Sequence, residues 1–319
     1  LCPKIFVSLR QNFMNMKIVS VINYKGGVGK TTLTANLAAE LAHRGYKVLM
    51  VDLDPQASLT FSFINPDRWK VDYAPSKTIR NWFQDECRTN NFRSLIIDDL
   101  SVESYVNQNN GCLHLVASHL DLINVDLTLA MQLGGANMEQ IRGNYLKIHH
   151  RLADGLIQLN EGEYDIVFID CPPNFNIVTK NAIVASTDIL IPAKPDFLST
   201  LGIDYLRRSV TGLENDYNGF CENEKEGRFN PIHPSISGII FTMVQYYRHR
   251  PIASLRPFIS QTISQNAEVF ENMVRENKSV FADAGTYETP VAVMKPGIRP
   301  NVVQDLERVT VELIAKLPL

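Results

Sequence analysis

Two lysines, three glycines and two threonines stand together in Lys25-Gly26-Gly27-Val28-Gly29-Lys30-Thr31-Thr32. These are the residue types that hold a phosphate group. Glycines let backbone N–H groups crowd round an anion, and a helix starting at the lysine adds its partial positive charge. Lys30 is placed to reach the β- and γ-phosphates of a nucleotide, and the Thr31 hydroxyl to ligate Mg²⁺. The spacing departs from G-x-x-x-x-G-K-[ST] in one respect: Tyr24 occupies the first glycine position and a second lysine, Lys25, follows it. A glycine-rich turn without a ligand would need neither the paired lysines nor the paired threonines.

Carboxylates in two further places could complete such a site. The apolar run 47–52 ends in Asp52-Leu53-Asp54-Pro55, and alternation puts Asp52 and Asp54 on one side of the chain as it leaves a strand. Asp54 is a candidate for positioning the water that attacks a γ-phosphate, and Asp52 for supporting Mg²⁺ through its waters. The run 164–170 is Tyr-Asp-Ile-Val-Phe-Ile-Asp, an apolar strand closed by Asp170. Asp170 would face Thr31 and hold the magnesium. Cys171 beside it reads as a small buried residue, with no histidine nearby in sequence to activate it.

The elements that must position these residues are legible from hydrophobic period. The β-branched run 18–22 predicts a buried strand, and Leu33, Leu37 and Leu41 then mark a helix closed by Gly45. Further strands are expected at 47–52, 113–116, 164–170, 188–193 and 237–243. A helix carrying Leu120, Ile123, Leu127 and Met131 follows the second of these additional strands, with those residues packing inward. A long helix is expected over about 137–159, others over 203–213 and 301–317, and a short one from Ser76 as N-cap to Phe83. Trp69, Trp82 and Phe83 read as core, and 219–234 as a surface loop. Strands alternating with helices predict an α/β fold of the P-loop NTPase kind, a mostly parallel central sheet with helices on both faces. Residues 16–319 form one domain in this reading, and residues 1–15 an extension without assigned function.

Composition narrows the classes. The chain has 319 residues, 45% of them hydrophobic, and no apolar run near the roughly 20 residues needed to span a bilayer. Five cysteines are scattered and never in C-x-x-C spacing, which argues for a reducing cytoplasm and against a disulfide framework or structural zinc. The net charge of −3 excludes polyanion binding by bulk attraction, so any such contact needs a local patch. The best candidate lies within 236–267, which holds Arg248, Arg250 and Arg256 and no carboxylate.

Taken together these residues resemble the ParA family of partition ATPases, in the wider group with a deviant Walker A loop that includes MinD and the nitrogenase iron protein. The match is carried by 25–32, 52–58, 164–173 running on to Thr179 and Asn181, and 191–206 with its Pro192, Pro195, Asp196, Phe197 and Gly202. The resemblance implies ATP and Mg²⁺ as cofactors and an ATP-sandwich homodimer. In it the loop Gly26, Gly27, Val28, Gly29, Lys30, Thr31 and Thr32 holds the nucleotide, and Lys25 crosses to the partner's phosphates. It implies the hydrolytic-water role for Asp54 and the magnesium role for Asp170. It also implies slow ATP hydrolysis, ATP-dependent binding of non-specific DNA at the nucleoid and release by a ParB-like activator protein; the mixed acids and bases on the outer face of the 301–317 helix argue against a membrane partner. Arg248, Arg250, Arg275 and Lys278 are the DNA-contact candidates. The alternative within the same group is an ATPase that positions a protein complex or a cell-division regulator. Two departures stand out: Tyr246-Tyr247-Arg248 where the family often carries Asp-x-Arg, and an altered late loop at 285–290 where the adenine would be recognised.

Overall fold

A computed structural model describes residues 16–85, 91–106, 109–225, 227–248, 250–265, 268–281, 288–293 and 300–319. Residues 1–15 and residues 285–287 of the late loop lie outside the described residues.

Seven strands form one sheet: β1 (Lys17–Val21), β2 (Lys47–Asp52), β3 (Ile96–Ile97), β4 (Cys112–Val116), β5 (Ile166–Asp170), β6 (Asp188–Ala193) and β7 (Ser235–Phe241). Their spatial order is β3-β4-β2-β5-β1-β6-β7, with only the edge strand β3 antiparallel. The inner strands lack polar alternation because both faces are covered, as a parallel sheet requires. Along β5, Val167 and Ile169 enter one core and Ile166 and Phe168 the other. The expected mostly parallel sheet with helices on both faces is the fold observed.

Helix α1 (Lys30–His43) packs on one face through Leu33, Leu37 and Leu41, beside the C-terminal helix, which spans Pro300–Lys316. The opposite face carries α2 (Leu122–Met131), α3 (Met138–His149), α4 (Ile177–Ala185) and α5 (Phe197–Glu222). Pairing levels the carboxyl ends of the three central strands: Val21 lies opposite Asp170 and Asp52 opposite Asp170. The order reverses about β1, so the crevice at these ends is where an open α/β sheet receives a ligand.

Four local expectations change. The short helix runs Ile79–Gln84 with Thr78, not Ser76, as N-cap, because Thr78 and Asn81 form a reciprocal capping box. The long helix expected over 137–159 breaks at His150 into α3 and a helix over Arg151–Leu156. The helix expected from Ile203 begins at Phe197 and runs to Glu222, absorbing the start of the predicted loop. In α2 the buried face is Leu122, Val125 and Leu129, whereas Ile123, Leu127 and Met131 are 62–71% exposed. Both sets have helical spacing, so period alone could not choose between them.

Candidate nucleotide site

The loop from Asn23 to Gly29 joins β1 to α1 and is built by side chains the sequence did not advertise. Asn23 donates through Nδ2 to the Pro192 carbonyl at 2.7 Å and accepts the Lys25 N–H on Oδ1 at 2.9 Å. Thr242, just past β7, donates its hydroxyl to the Val28 carbonyl at 2.7 Å. β6 and the end of β7 thus hold the loop from two sides. Gly27 and Gly29 have φ of 68° and 82°, a left-handed conformation that disfavours any Cβ. Gly29 is the residue that caps α1, so the helix N-terminus faces the loop's concavity.

Lys30 is 7% exposed and donates Nζ to the Asn23 carbonyl at 3.2 Å. Burial depresses its ammonium, and the nearby Asp170 and Asp54 oppose that shift. The cation therefore rests on its own loop, held by a neutral carbonyl that an anionic phosphate outcompetes.

Thr31 donates its hydroxyl to Asp170 Oδ2 at 2.6 Å. Asp170 is fully buried, and its other oxygen, Oδ1, has no hydrogen-bond partner. Burial, and then repulsion from Asp52, raises the Asp170 carboxyl well above the usual range. A buried carboxyl oxygen without a hydrogen bond, beside a hydroxyl, offers two hard oxygen donors to a cation. Among the described residues no cluster of three or more His, Cys, Asp or Glu could hold a metal by itself. That donor set fits Mg²⁺, which takes one or two protein oxygens and completes its shell with phosphate oxygens and water.

Asp52, at the end of β2, is fully buried. Its Oδ2 accepts the Thr60 N–H and hydroxyl, both at 2.8 Å, and its Oδ1 accepts the Asp54 N–H at 3.1 Å. Both oxygens are thus engaged by protein donors, which makes Asp52 the brace of the 53–60 loop. Burial still pushes its carboxyl up to about 7, against the pull of the Thr60 hydrogen bonds. Asp54 is half-buried, and its Oδ1 accepts the Gln56 N–H at 2.9 Å. Ser118, just past β4, donates to the Asp54 carbonyl at 2.7 Å, fixing the backbone while leaving the second carboxylate oxygen without a hydrogen bond among the described residues.

Beside Gly29 and Thr32 opens a cavity of about 240 Å³, lined by Leu33, Met243, Val274, Phe281 and Asn277 among others. Its apolar residues Leu33, Met243, Val274 and Phe281, which share the lining with the charged Lys194, Arg275, Glu276 and Lys278, suit a planar heterocycle adjoining the phosphate loop. A larger cavity, about 780 Å³, lies at the opposite end of the sheet near Ile18 and Thr187. It shares no residue with the nucleotide site.

Lys25, the residue expected to reach a partner's phosphates, is held within its own chain. Its Nζ lies 2.8 and 2.7 Å from the two carboxylate oxygens of Asp196 in the same chain, and 3.3 Å from the Ser199 hydroxyl. The four basic candidates differ in how they are held, and Arg275 lines one cavity with Arg248 and another with Lys278. Arg248 stands in the turn between β8 (Tyr246–Tyr247) and β9 (Arg250–Pro251), its guanidinium 5.4 Å from the Tyr247 ring centre. Arg250 is exposed in β9. Arg275 is clamped on Asp305 at 2.6 and 2.9 Å and stacked 5.3 Å from the Tyr246 ring. Lys278 is 91% exposed, 3.8 Å from Glu276. Arg248 and Arg275 share a cleft of about 460 Å³ that also holds Arg308, a cation the sequence reading passed over.

The AAA domain family AAA_31 matches residues 16–222, the part of the chain that contains every residue of the phosphate loop and all three aspartates. The chain belongs to this family, a ParA/MinD-type P-loop ATPase family. A relative from Rhizobium rhizogenes is 32% identical over 206 residues, 64% of this chain and 46% of that one, so the match spans under half of that protein's length. The chromosome partitioning protein ParA of Caulobacter vibrioides is 27% identical over 229 residues, 72% of this chain and 70% of the relative. Among solved structures, an ATP complex of Cyanothece McdA superposes with a TM-score of 0.67 at 18% identity, covering 96% of this chain and 97% of that one. That likeness is one of fold. No helix among the described residues is long and apolar enough to cross a membrane.

Proposed function

We propose that the protein is a Mg²⁺-dependent ATPase that dimerises around ATP, binds DNA without sequence preference in that state, and is released when a ParB-like partner stimulates hydrolysis. The observation that carries the nucleotide part is the hydrogen bond from the partly exposed Thr31 to the buried Asp170, whose Oδ1 has no hydrogen-bond partner among the described residues. Thr31 and Asp170 would hold the metal, which when bound neutralises phosphate charge and organises its oxygens. Lys30 leaves the Asn23 carbonyl to balance charge on the β- and γ-phosphates. Asp54 orients the attacking water from a backbone held by Ser118. Leu33, Met243 and Phe281 would flank the adenine.

Similarity to a chromosome partitioning protein supports DNA as the cargo. Exposed Arg248 and Arg250 support the contact, with Lys278 as an outlying cation. Sizing the protein with ATP, with ADP and with neither should give a dimer with ATP alone. Phosphate release should stop when Mg²⁺ is chelated. Retention on random-sequence DNA should require ATP and weaken with salt at a log–log slope of roughly −0.9 per phosphate contacted. An ATP-dependent dimer with no DNA retention at low salt would move the cargo from DNA to a protein complex.

A further inference from the structure

We propose that the cavity of about 780 Å³ at the end of the sheet away from the nucleotide is a second ligand site, built for an amphipathic carboxylate: one acidic group on an apolar chain or ring. Its volume lies within the roughly 300–1,000 Å³ of small-molecule sites. None of its residues belongs to the phosphate loop or to the carboxylates around it, so the site stands whether or not the nucleotide reading holds.

Two walls of the cavity are apolar. Ile18 at the start of β1, Val184 near the end of α4 and Ile157 line one, and Phe229 and Ile232 line the other. The second wall is fixed in place. The Asn218 side chain of α5 donates to the Ile232 carbonyl at 2.9 Å and accepts the Ile232 N–H at 2.8 Å. The Phe229 ring packs 5.4 Å from the His150 ring, whose Nδ1 lies 2.8 Å from the Tyr217 hydroxyl. The fold thus holds apolar surface open to water, and an apolar ligand relieves that cost.

Helix α3 turns a polar stripe to the same space. Gln140, Gly143, Asn144 and Lys147 recur at three- and four-residue spacing, and all four line the cavity. Gly143 lies mid-helix without a positive φ, where glycine is less stable than alanine. A Cβ there would meet no heavy atom within 4 Å beyond its chain neighbours and its own helix backbone. Neither backbone strain nor crowding calls for glycine, and the space it leaves belongs to the cavity. One turn on, the exposed Lys147 makes no hydrogen bond or ion pair among the described residues. The other charged groups of the lining have partners: Arg228 lies 3.8 Å from Glu224, and Asp154 lies 3.7 Å from His150 Nε2. An apolar chamber with one uncommitted cation beside it is the complement of a carboxylate on an apolar body.

Octanoate is the probe, with octanol as its neutral twin, and calorimetry on the full chain without nucleotide is the readout. Octanoate should bind saturably, one per chain, and about threefold more tightly than octanol. Lys147→Gln should remove that preference while leaving octanol binding unchanged. Gly143→Phe, which fills the chamber, should weaken both by at least about tenfold. Gly143→Ala should raise the unfolding midpoint, because the added methyl meets open space. No saturable binding up to about 3 mM, a lenient limit for a ligand of about ten non-hydrogen atoms, would overturn the site. Binding that survives Gly143→Phe would place the ligand elsewhere and overturn it equally. Octanol binding as tightly as octanoate, or a preference that persists in Lys147→Gln, would overturn the carboxylate class. A lowered midpoint in Gly143→Ala would make the glycine a packing requirement and overturn its part in the site.

Discussion

The phosphate end of the sheet and the arginine-bearing flank differ in how tightly their residues are placed. At the phosphate end, three parallel strands bring Val21, Asp52 and Asp170 to one level, and each side chain there has an identifiable geometric duty. At the flank, Arg248 stands in the turn and Arg250 in one strand of a hairpin whose strands have two residues each, and Arg275 is held by Asp305. The difference follows from the chemistry each must perform. Phosphoryl transfer requires reacting groups fixed to fractions of an ångström, which a buried sheet end provides. Contact with a polyanion requires only exposed charge within reach of a phosphate.

Substitutions at the phosphate end should produce the largest effects. Lys30→Ala should lower catalytic efficiency with ATP by roughly three orders of magnitude, since it removes the cation that meets the transferring phosphate. Steady-state phosphate release checks this, and a loss below tenfold would place the phosphate contact elsewhere. Asp54→Ala should slow turnover about a hundredfold while nucleotide affinity, read by calorimetry, stays within a factor of two. Equal losses in both would make Asp54 a binding residue and blur its distinction from Lys30.

On the flank, Arg275→Ala and Arg248→Ala should part company. Arg275→Ala leaves Asp305, whose side chain is 7% exposed, without its bidentate partner, so stability should fall by about 2 kcal/mol in denaturant unfolding. Arg248→Ala should leave stability unchanged and reduce the salt slope of DNA retention by about one. The reverse pattern would mean that the Arg275–Asp305 pair opens to contact DNA.

The smallest effect concerns pH. Asp52 has its carboxyl raised from 3.8 to about 7 in the folded chain. Between those values the folded protein holds a proton that the unfolded chain has released, so stability contributed by this group is full below pH 4 and is lost as pH rises through about 7. Without nucleotide and Mg²⁺, thermal stability should therefore decline from pH 5 to pH 8, by on the order of 1 kcal/mol or more, and Asp52→Asn should flatten the decline. An undiminished slope in that variant would assign it to other groups.

How much was legible depended on whether a residue's role is local. Gly27, Gly29, Lys30 and Thr31 act within one loop, and their spacing carries the loop's shape. Asp170 was legible because an acid closing an apolar strand beside a phosphate loop has few other uses. The bracing role of Asp52 was not, since Thr60 lies eight residues on and its hydroxyl meets the carboxylate only after the loop folds back. Thr242 was seen only as part of a strand, because its bond to Val28 spans 214 residues. The phase of α2 was misread because two apolar sets of equal period compete along it, and only the neighbouring α4 and the sheet decide which is buried.

The sequence by itself determined the alternation of buried strands and amphipathic helices, the anion-holding loop and the acids at strand ends, because backbone conformation and apolar period act over a few residues. Tertiary structure decided where each long side chain ends. It placed Lys25 on Asp196, Arg275 on Asp305 and Lys30 on its own loop carbonyl. A flexible cation takes whichever anion or dipole the fold brings within about 3 Å, and that choice is written in no local stretch of the chain.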